Sequence, residues 1–478
     1  MVKLFLTAAL AAFALTGTAS PKIDTSADRV KTDLDVSYTR LGTLKPKSTA
    51  EARNNLTIGG ETLDRDYADF DKYKQYLAPL GMKHIRLQGG WAKTERQKGV
   101  YDFAWLDKIV DECIALGITP WLQTSYGNTI YKGGGTPFLK GGMPSSPEAK
   151  AAWDAWVDAM SKRYAGRVEW EMWNEPDLDR KRTVADTVDM NVRTAEIIRK
   201  NDPNAKISGL ALARIVPEKF EEYVKALSDA GKLELFDWLS YHGYDFRPEN
   251  SYVDVEKMAE ILKKYSKKVQ LRQGENGAPS KGFLGGALTK HPWTELSQAK
   301  WDLRRMLGDH GRGIWTSCFT ISDMHYAATD FIKMLNVKGL LETDEKHNVV
   351  KIKTAYYAVQ NLVSVFELFE NPNKAVSVKT GLSHSVFGYS PRGGTAFVVW
   401  YDECTPTNFN KTTPADVEVK ASFKKPVWVD ILTGGVYEIP AANIVKTRGG
   451  TVFKNLPIYD SPIVVAELEA VDFVPAAK

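Results

Sequence analysis

The chain has 478 residues, more than one compact core of usual size supports, so a large domain with a smaller companion is expected. A hydrophobic share of 43% excludes extended disorder, and a net charge of +4, carried by interspersed charges without a basic stripe, argues against a nucleic-acid partner. Three cysteines, Cys113, Cys318 and Cys404, are too few and too odd for a disulfide scaffold, and no paired-cysteine metal motif occurs.

Residues 1–20 read as a secretory signal: Lys3, an apolar run over 4–15 too short to span a bilayer, then small Gly17, Thr18, Ala19 and Ser20. A secreted or periplasmic location follows, with no membrane insertion, because no later stretch is long and apolar enough. Residues 21–54 are polar and irregular, free to lend a strand to a later sheet. From about residue 55, strand and helix signals alternate. Strands are expected at 56–58, 84–87, 118–123, 168–173, 206–212, 236–241, 268–273 and 313–322. Helices are expected at 71–80, 103–116, 148–164, 187–200, 217–230, 253–265, 296–307 and 354–366. Leu106, Ile109, Val110 and Cys113, for example, recur at helical spacing before a terminating Gly117. Eight such pairs over residues 55–370 predict an α/β fold, a (β/α)₈ TIM barrel. An open doubly wound sheet is the alternative, but the turn Gly59-Gly60-Glu61 after the first strand lacks a dinucleotide-binding pattern. Beyond residue 370 the hydrophobic period becomes two, with turns such as Pro391-Arg392-Gly393-Gly394, predicting a small β-sandwich over 371–478.

In such barrels the chemistry gathers at the C-terminal ends of the strands. The fourth strand ends in Trp173-Asn174-Glu175-Pro176 and the seventh in Gly274-Glu275-Asn276. Two carboxylates delivered from strands three apart face each other across the mouth, the arrangement glycoside hydrolysis requires: one protonates the leaving oxygen, the other attacks or activates water. Arg86, closing the second strand, is placed to hold a carboxylate ionised, and Asn174 to bond a sugar hydroxyl. Glu171, deeper in the fourth strand, reads as a paired interior carboxylate. Trp91 and Tyr126, in loops past their strands, are expected to stack on sugar, whereas Trp121 and Trp315 belong to the barrel interior. The glycine-rich stretch 131–147 lies on the catalytic face, as a gating loop or a plain long connection. His325 is placed equally for substrate contact or a surface role. The seven histidines show no metal spacing, so neither metal nor other cofactor is expected.

The Asn-Glu motif resembles that of glycoside hydrolase clan A. Residues 170–178, Trp-Glu-Met-Trp-Asn-Glu-Pro-Asp-Leu, are most similar to family 39, which holds β-xylosidases and α-L-iduronidases. Ile85-Arg86-Leu87-Gln88-Gly89, Tyr241-His242-Gly243-Tyr244 and Phe319-Thr320-Ile321-Ser322-Asp323 resemble its second, sixth and eighth strands. The resemblance implies retention, with Glu175 as acid/base, Glu275 as nucleophile, Arg86, His242 and Tyr244 beside it, and Gln88 and Phe319 in the sugar site. Gln88 stands where that family usually carries His, and Phe319 where it usually carries Trp. A carbohydrate is thus the expected partner of an exo-acting retaining glycosidase. An endo-acting glycanase of the same clan and an inactive carbohydrate-binding barrel are the alternatives.

Overall fold

The computed structural model describes residues 23–24, 29–282, 286–327 and 333–476, and the expected signal at 1–20 lies outside them. Eight short parallel strands form the barrel: β1 (Thr57–Gly59), β2 (His84–Gln88), β3 (Thr119–Thr124), β4 (Glu169–Met172), β5 (Ile207–Leu212), β6 (Trp238–Tyr241), β7 (Gln270–Gln273) and β8 (Ser317–Cys318). They pair in sequence order, with β1 also bonded to β8. Single parallel bridges, Arg272 to Trp315 and Asn276 to Cys318, close β7 onto the β8 segment.

The helices outside follow from capping and apolar stripes. Pro147–Arg163 starts where the Ser146 hydroxyl accepts from the Ala149 N–H and Pro147 presets the first turn. Its Trp153, Trp156, Val157 and Met160 are buried; truncating one of those indoles to alanine should cost about 3–5 kcal/mol. Val184–Asn201 opens with a capping box between Thr183 and Asp186. The single helix expected over 71–80 is instead three short pieces, Phe70–Tyr73, Lys74–Tyr76 and Leu77–Leu80, the middle one a 3₁₀ turn. Pro79 accounts for the break, since it cannot donate to the Gln75 carbonyl and its ring crowds that group. The eighth strand is also shorter than expected. Beyond it come two hairpins that no pattern announced, Met324–Ala327 with Lys333–Asn336 and Leu341–Thr343 with Val349–Ile352.

The C-terminal region is a β-sandwich. One antiparallel sheet has the order Pro372–Asn373, His384–Tyr389, Ala396–Tyr401, Ile463–Glu467, Pro426–Asp430, Gly435–Glu438, Thr39–Leu44, Phe473–Pro475. The N-terminal segment therefore does supply a strand, held between Gly435–Glu438 and Phe473–Pro475. The second sheet is Val376–Lys379, Thr413–Val419, Gly450–Ile458 and Ile444–Thr447. The helix Glu295–His310 is buried on nearly every side. Its buried cations are all paired, as burial demands: Lys300 with Asp460, Arg304 with Glu249 and Arg305 with Asp309. Glu249 also accepts from the Trp400 indole at 2.8 Å, tying sandwich to barrel.

Candidate active site

Alternation along β2 turns Ile85 and Leu87 outward and Arg86 and Gln88 inward; along β4 it turns Glu169 and Glu171 inward. Arg86 is fully buried, and its guanidinium organises the catalytic face. Nε donates to Glu171 at 2.7 Å, Nη1 to Glu61 at 2.7 Å and to Glu275 at 3.0 Å, and Nη2 to the Asn174 side-chain oxygen at 2.8 Å. A planar fork of five donors can serve all these acceptors at once, which an ammonium cannot. Glu171 is completed by Gln123 at 2.8 Å and the Ser240 hydroxyl at 2.7 Å, and so is an interior, paired carboxylate.

The Asn-Glu-Pro motif ends β4 by a change of backbone hand. Trp173 and Glu175 have φ of 55° and 50°, a region that costs a residue with Cβ about 1–3 kcal/mol and persists where the surroundings enforce it. Enforcement comes from β5, where register shifts between Gly209 and Leu212 and the Ala211 carbonyl accepts the Glu175 N–H at 2.9 Å. Pro176 then starts a 3₁₀ turn. Glu175 is thereby swung over the mouth, where its Oε1 meets His242 Nδ1 at 2.9 Å.

Glu275 follows β7. Its Oε2 accepts from Arg86 and its Oε1 from the Tyr244 hydroxyl at 2.8 Å. Burial pushes its carboxyl up, but His242, Arg86 and the Tyr244 hydrogen bond together outweigh burial and hold it below the usual glutamate value. His242 is buried between the two carboxylates, with Nδ1 also 3.7 Å from Glu275. Burial disfavours its cation, yet the charges of Glu275 and Glu175 prevail and raise it above the ordinary histidine value. An oxygen of Glu175, a nitrogen of His242 and an oxygen of Glu275 all lie within 4.8 Å of one another.

These groups floor a cavity of about 570 Å³. Of the residues expected at the site, Gln88, Tyr126, Asn174, Glu175, Glu275 and Phe319 line it. Arg86 and His242 stand fully buried behind the carboxylates, and Tyr244 braces Glu275. Trp91, expected to stack on sugar, does not line the cavity. Gly90 adopts a left-handed turn and residues Trp91–Thr94 form one helical turn that carries the indole inward. There Trp91 is wholly buried, stacks on Tyr131 and Trp156, and donates to Glu95 at 2.5 Å, so it cannot meet a sugar. Trp121 is interior, as expected of it, under the Arg272 guanidinium. His325 lies beside Thr343 and the His347 ring, outside this cavity.

Among the lining residues that no sequence signal singled out are Glu61, Arg65, Tyr326 and Met334. Glu61 follows β1 as Glu175 and Glu275 follow β4 and β7, so its place in the strand order was the available clue. Burial raises its carboxyl to about 7, against the pull of Arg86 and with the added repulsion of Glu275. Arg65 bonds Asp64 and the Gln88 side-chain oxygen, fixing Gln88 in the wall.

Among the described residues, Glu175, His242 and Glu275 are the one group close enough to hold a metal ion. Their ligand atoms are already engaged with one another, Arg86 and Tyr244, and the guanidinium beside Glu275 opposes a second cation. The set suits proton transfer and nucleophilic attack better than metal binding.

Comparison with known proteins finds likenesses in sequence and in fold. The family model for glycosyl hydrolases family 39 matches residues 59–273. A β-xylosidase of Geobacillus stearothermophilus is 23% identical over 207 residues, which are 39% of this chain and 40% of that protein. The match therefore spans about two fifths of that relative's length. A family 39 glycoside hydrolase from the gut symbiont Bacteroides cellulosilyticus superposes with a TM-score of 0.61 at 17% identity, over 89% of this chain and 83% of that one. A monomeric β-xylosidase from Caulobacter crescentus gives 0.57 at 16% identity, over 91% and 99%. The two structural likenesses speak for the fold: barrel with sandwich.

Proposed function

We propose that this chain, which is most like glycoside hydrolase family 39 of clan A, is a retaining glycosidase that removes single sugars from the ends of its substrates. The observation that carries the reading is the approach of the Glu175 and Glu275 oxygens to within 4.8 Å of each other. Retaining enzymes keep their carboxyl pair about 5–5.5 Å apart, whereas inverting ones need about 6.5–9.5 Å to admit water.

Glu275 is the nucleophile, because Arg86 and Tyr244 favour its ionised form. Its oxygen attacks the anomeric carbon as the bond to the leaving oxygen breaks, and that oxygen takes the proton of Glu175. In the second step water gives a proton to Glu175, attacks the same carbon and frees Glu275. His242 orients Glu175 through the 2.9 Å bond, and Asn174, fixed by Arg86 through its oxygen, offers its amide to a sugar hydroxyl. Exo action is supported by the two elements that add to the lining beyond the strand ends, Phe138 and Leu139 from the loop after β3 and Tyr326 and Met334 from the hairpin after β8. Xylosides are the first glycones to assay, given the relatives named β-xylosidase. The signal-like residues 1–20 support work outside the cytoplasm.

Glu275→Ala tests the assignment. Turnover should fall about 10⁵-fold or more. Azide should restore part of it and yield the glycosyl azide of inverted configuration, since it attacks the face the carboxylate has vacated. Undiminished turnover would remove Glu275 from its role.

A further inference from the structure

The cavity has two chemically different parts. Its floor is polar, with Glu61, Glu175, Glu275 and Asn174. Its outer wall carries Phe138 and Leu139, 49% and 41% exposed, large apolar side chains that no core packing explains. Isolated apolar residues on a surface need no explanation, but two neighbours facing into a catalytic cavity do.

Their setting places them on the leaving-group side. The loop that bears them follows β3 and packs against the segment following β4, which carries the acid Glu175. The Arg182 guanidinium in that segment donates to the Met143 carbonyl at 2.7 Å. Because the acid must reach the glycosidic oxygen, the aglycone lies on the side of Glu175. Exposure gives the same answer, since the reacting carbon must lie at the buried carboxylates and the aglycone extends from it toward the exposed side chains. The loop is a built scaffold. The Gly127 N–H donates to Thr136, Thr136 to Gly141, Gly141 to Phe138 and Ser145 to Gly133, all through the backbone. Gly133, Gly135 and Gly142 supply the positive φ values of 75°, 76° and 82° that these turns need. At Gly135 an added Cβ would come within 1.9 Å of the Gly142 carbonyl oxygen, so the turn admits only glycine. A cavity of about 570 Å³ holds a ligand larger than a single sugar ring.

We infer that Phe138 and Leu139 form an aglycone subsite for an apolar group, so that the enzyme prefers glycosides of aromatic or other apolar alcohols over those whose leaving group is a second sugar. The preference rests on the glycosidase reading, and the test separates the two. The full chain is assayed with one glycone in four forms: fluoride, phenethyl glycoside, 2-hydroxyethyl glycoside and disaccharide. The fluoride leaves with little help from an acid, needs Glu275 to attack and Glu175 as base in the second step, and has no aglycone to bind. Phenethyl and hydroxyethyl glycosides differ in the polarity of the leaving alcohol far more than in its acidity. Phenethyl should exceed hydroxyethyl and disaccharide in kcat/KM by about tenfold or more. In Phe138→Ala/Leu139→Ser the ratio of phenethyl to fluoride turnover should fall by about the same factor. Fluoride turnover without a phenethyl preference, or with the disaccharide preferred, would overturn the apolar subsite alone. Absence of fluoride turnover in the unaltered chain would overturn the glycosidase reading and the subsite with it.

Discussion

The barrel encloses two arginines one layer apart, and they are buried by opposite means. Arg86, at the catalytic end, is met by the carboxylates of Glu171, Glu61 and Glu275. Arg272, below it, has one close carboxylate, Glu169 at 2.7 Å, and is otherwise enclosed by indoles: Trp121 at 3.6 Å, Trp238 at 5.0 Å and Trp315 at 5.3 Å to the ring centroids. Trp121 divides the layers, with the Arg86 guanidinium 5.6 Å from its centroid. The surroundings leave opposite marks. Burial opposes both cations, but its carboxylates raise Arg86 well above the usual arginine value, whereas burial prevails at Arg272 and lowers it. An arginine among carboxylates sets their ionisation and therefore belongs to chemistry. An arginine among rings fills space and neutralises one acid, and therefore belongs to stability.

After Glu275, the largest loss is expected at Glu175, the carboxylate that Arg86 does not touch. Glu175→Ala should lower turnover of oligosaccharides about 10²–10⁴-fold while leaving aryl glycosides with acidic phenols nearly normal in the first step. Stopped-flow release of the phenol measures that step, and an equal loss on both substrates would make Glu175 structural. Arg86→Ala should lower kcat about 10²–10³-fold. Glu275 is held below the ordinary glutamate value, so activity persists as pH falls until that depressed value is passed. Without the cation the value rises, and the acidic limb of kcat/KM should move to higher pH. An unmoved limb would separate Arg86 from Glu275. Arg272→Met should cost about 3–5 kcal/mol of stability, because Glu169 is left buried without its partner. Denaturant unfolding reads that loss, while the acidic limb should stay where it is in the unaltered protein. Movement of the limb in Arg272→Met would erase the distinction between the two layers.

The two layers were also unequally legible. Glu175 and Glu275 stood out because each follows a strand beside residues that cannot continue it, Pro176 and Gly274. Arg86 stood out by its place near the end of the second strand expected from the sequence, although it is the middle residue of β2. Glu61 was hidden because β1 has three residues and Gly59 and Gly60 at its end read as a plain turn. Trp91 misled because one helical turn, entered through a left-handed Gly90, reversed the direction a loop position implied. Tyr326 and Met334 come from a hairpin whose pairing is set by tertiary contact, with too few residues to show a period. The Arg272 layer could be read only as interior. That three indoles converge on one guanidinium depends on the shear of the closed barrel, and spacing within each strand carries no trace of it.

The most direct measurement is the anomeric configuration of the first product, followed by proton NMR from the moment the enzyme is added. Glu175 and Glu275 oxygens within 4.8 Å are too close to hold both the anomeric carbon and an attacking water between the two carboxylates. The account therefore predicts that the sugar is released with the configuration of the substrate and only later mutarotates. Appearance of the opposite anomer first would contradict the double displacement and with it the role given to Glu275.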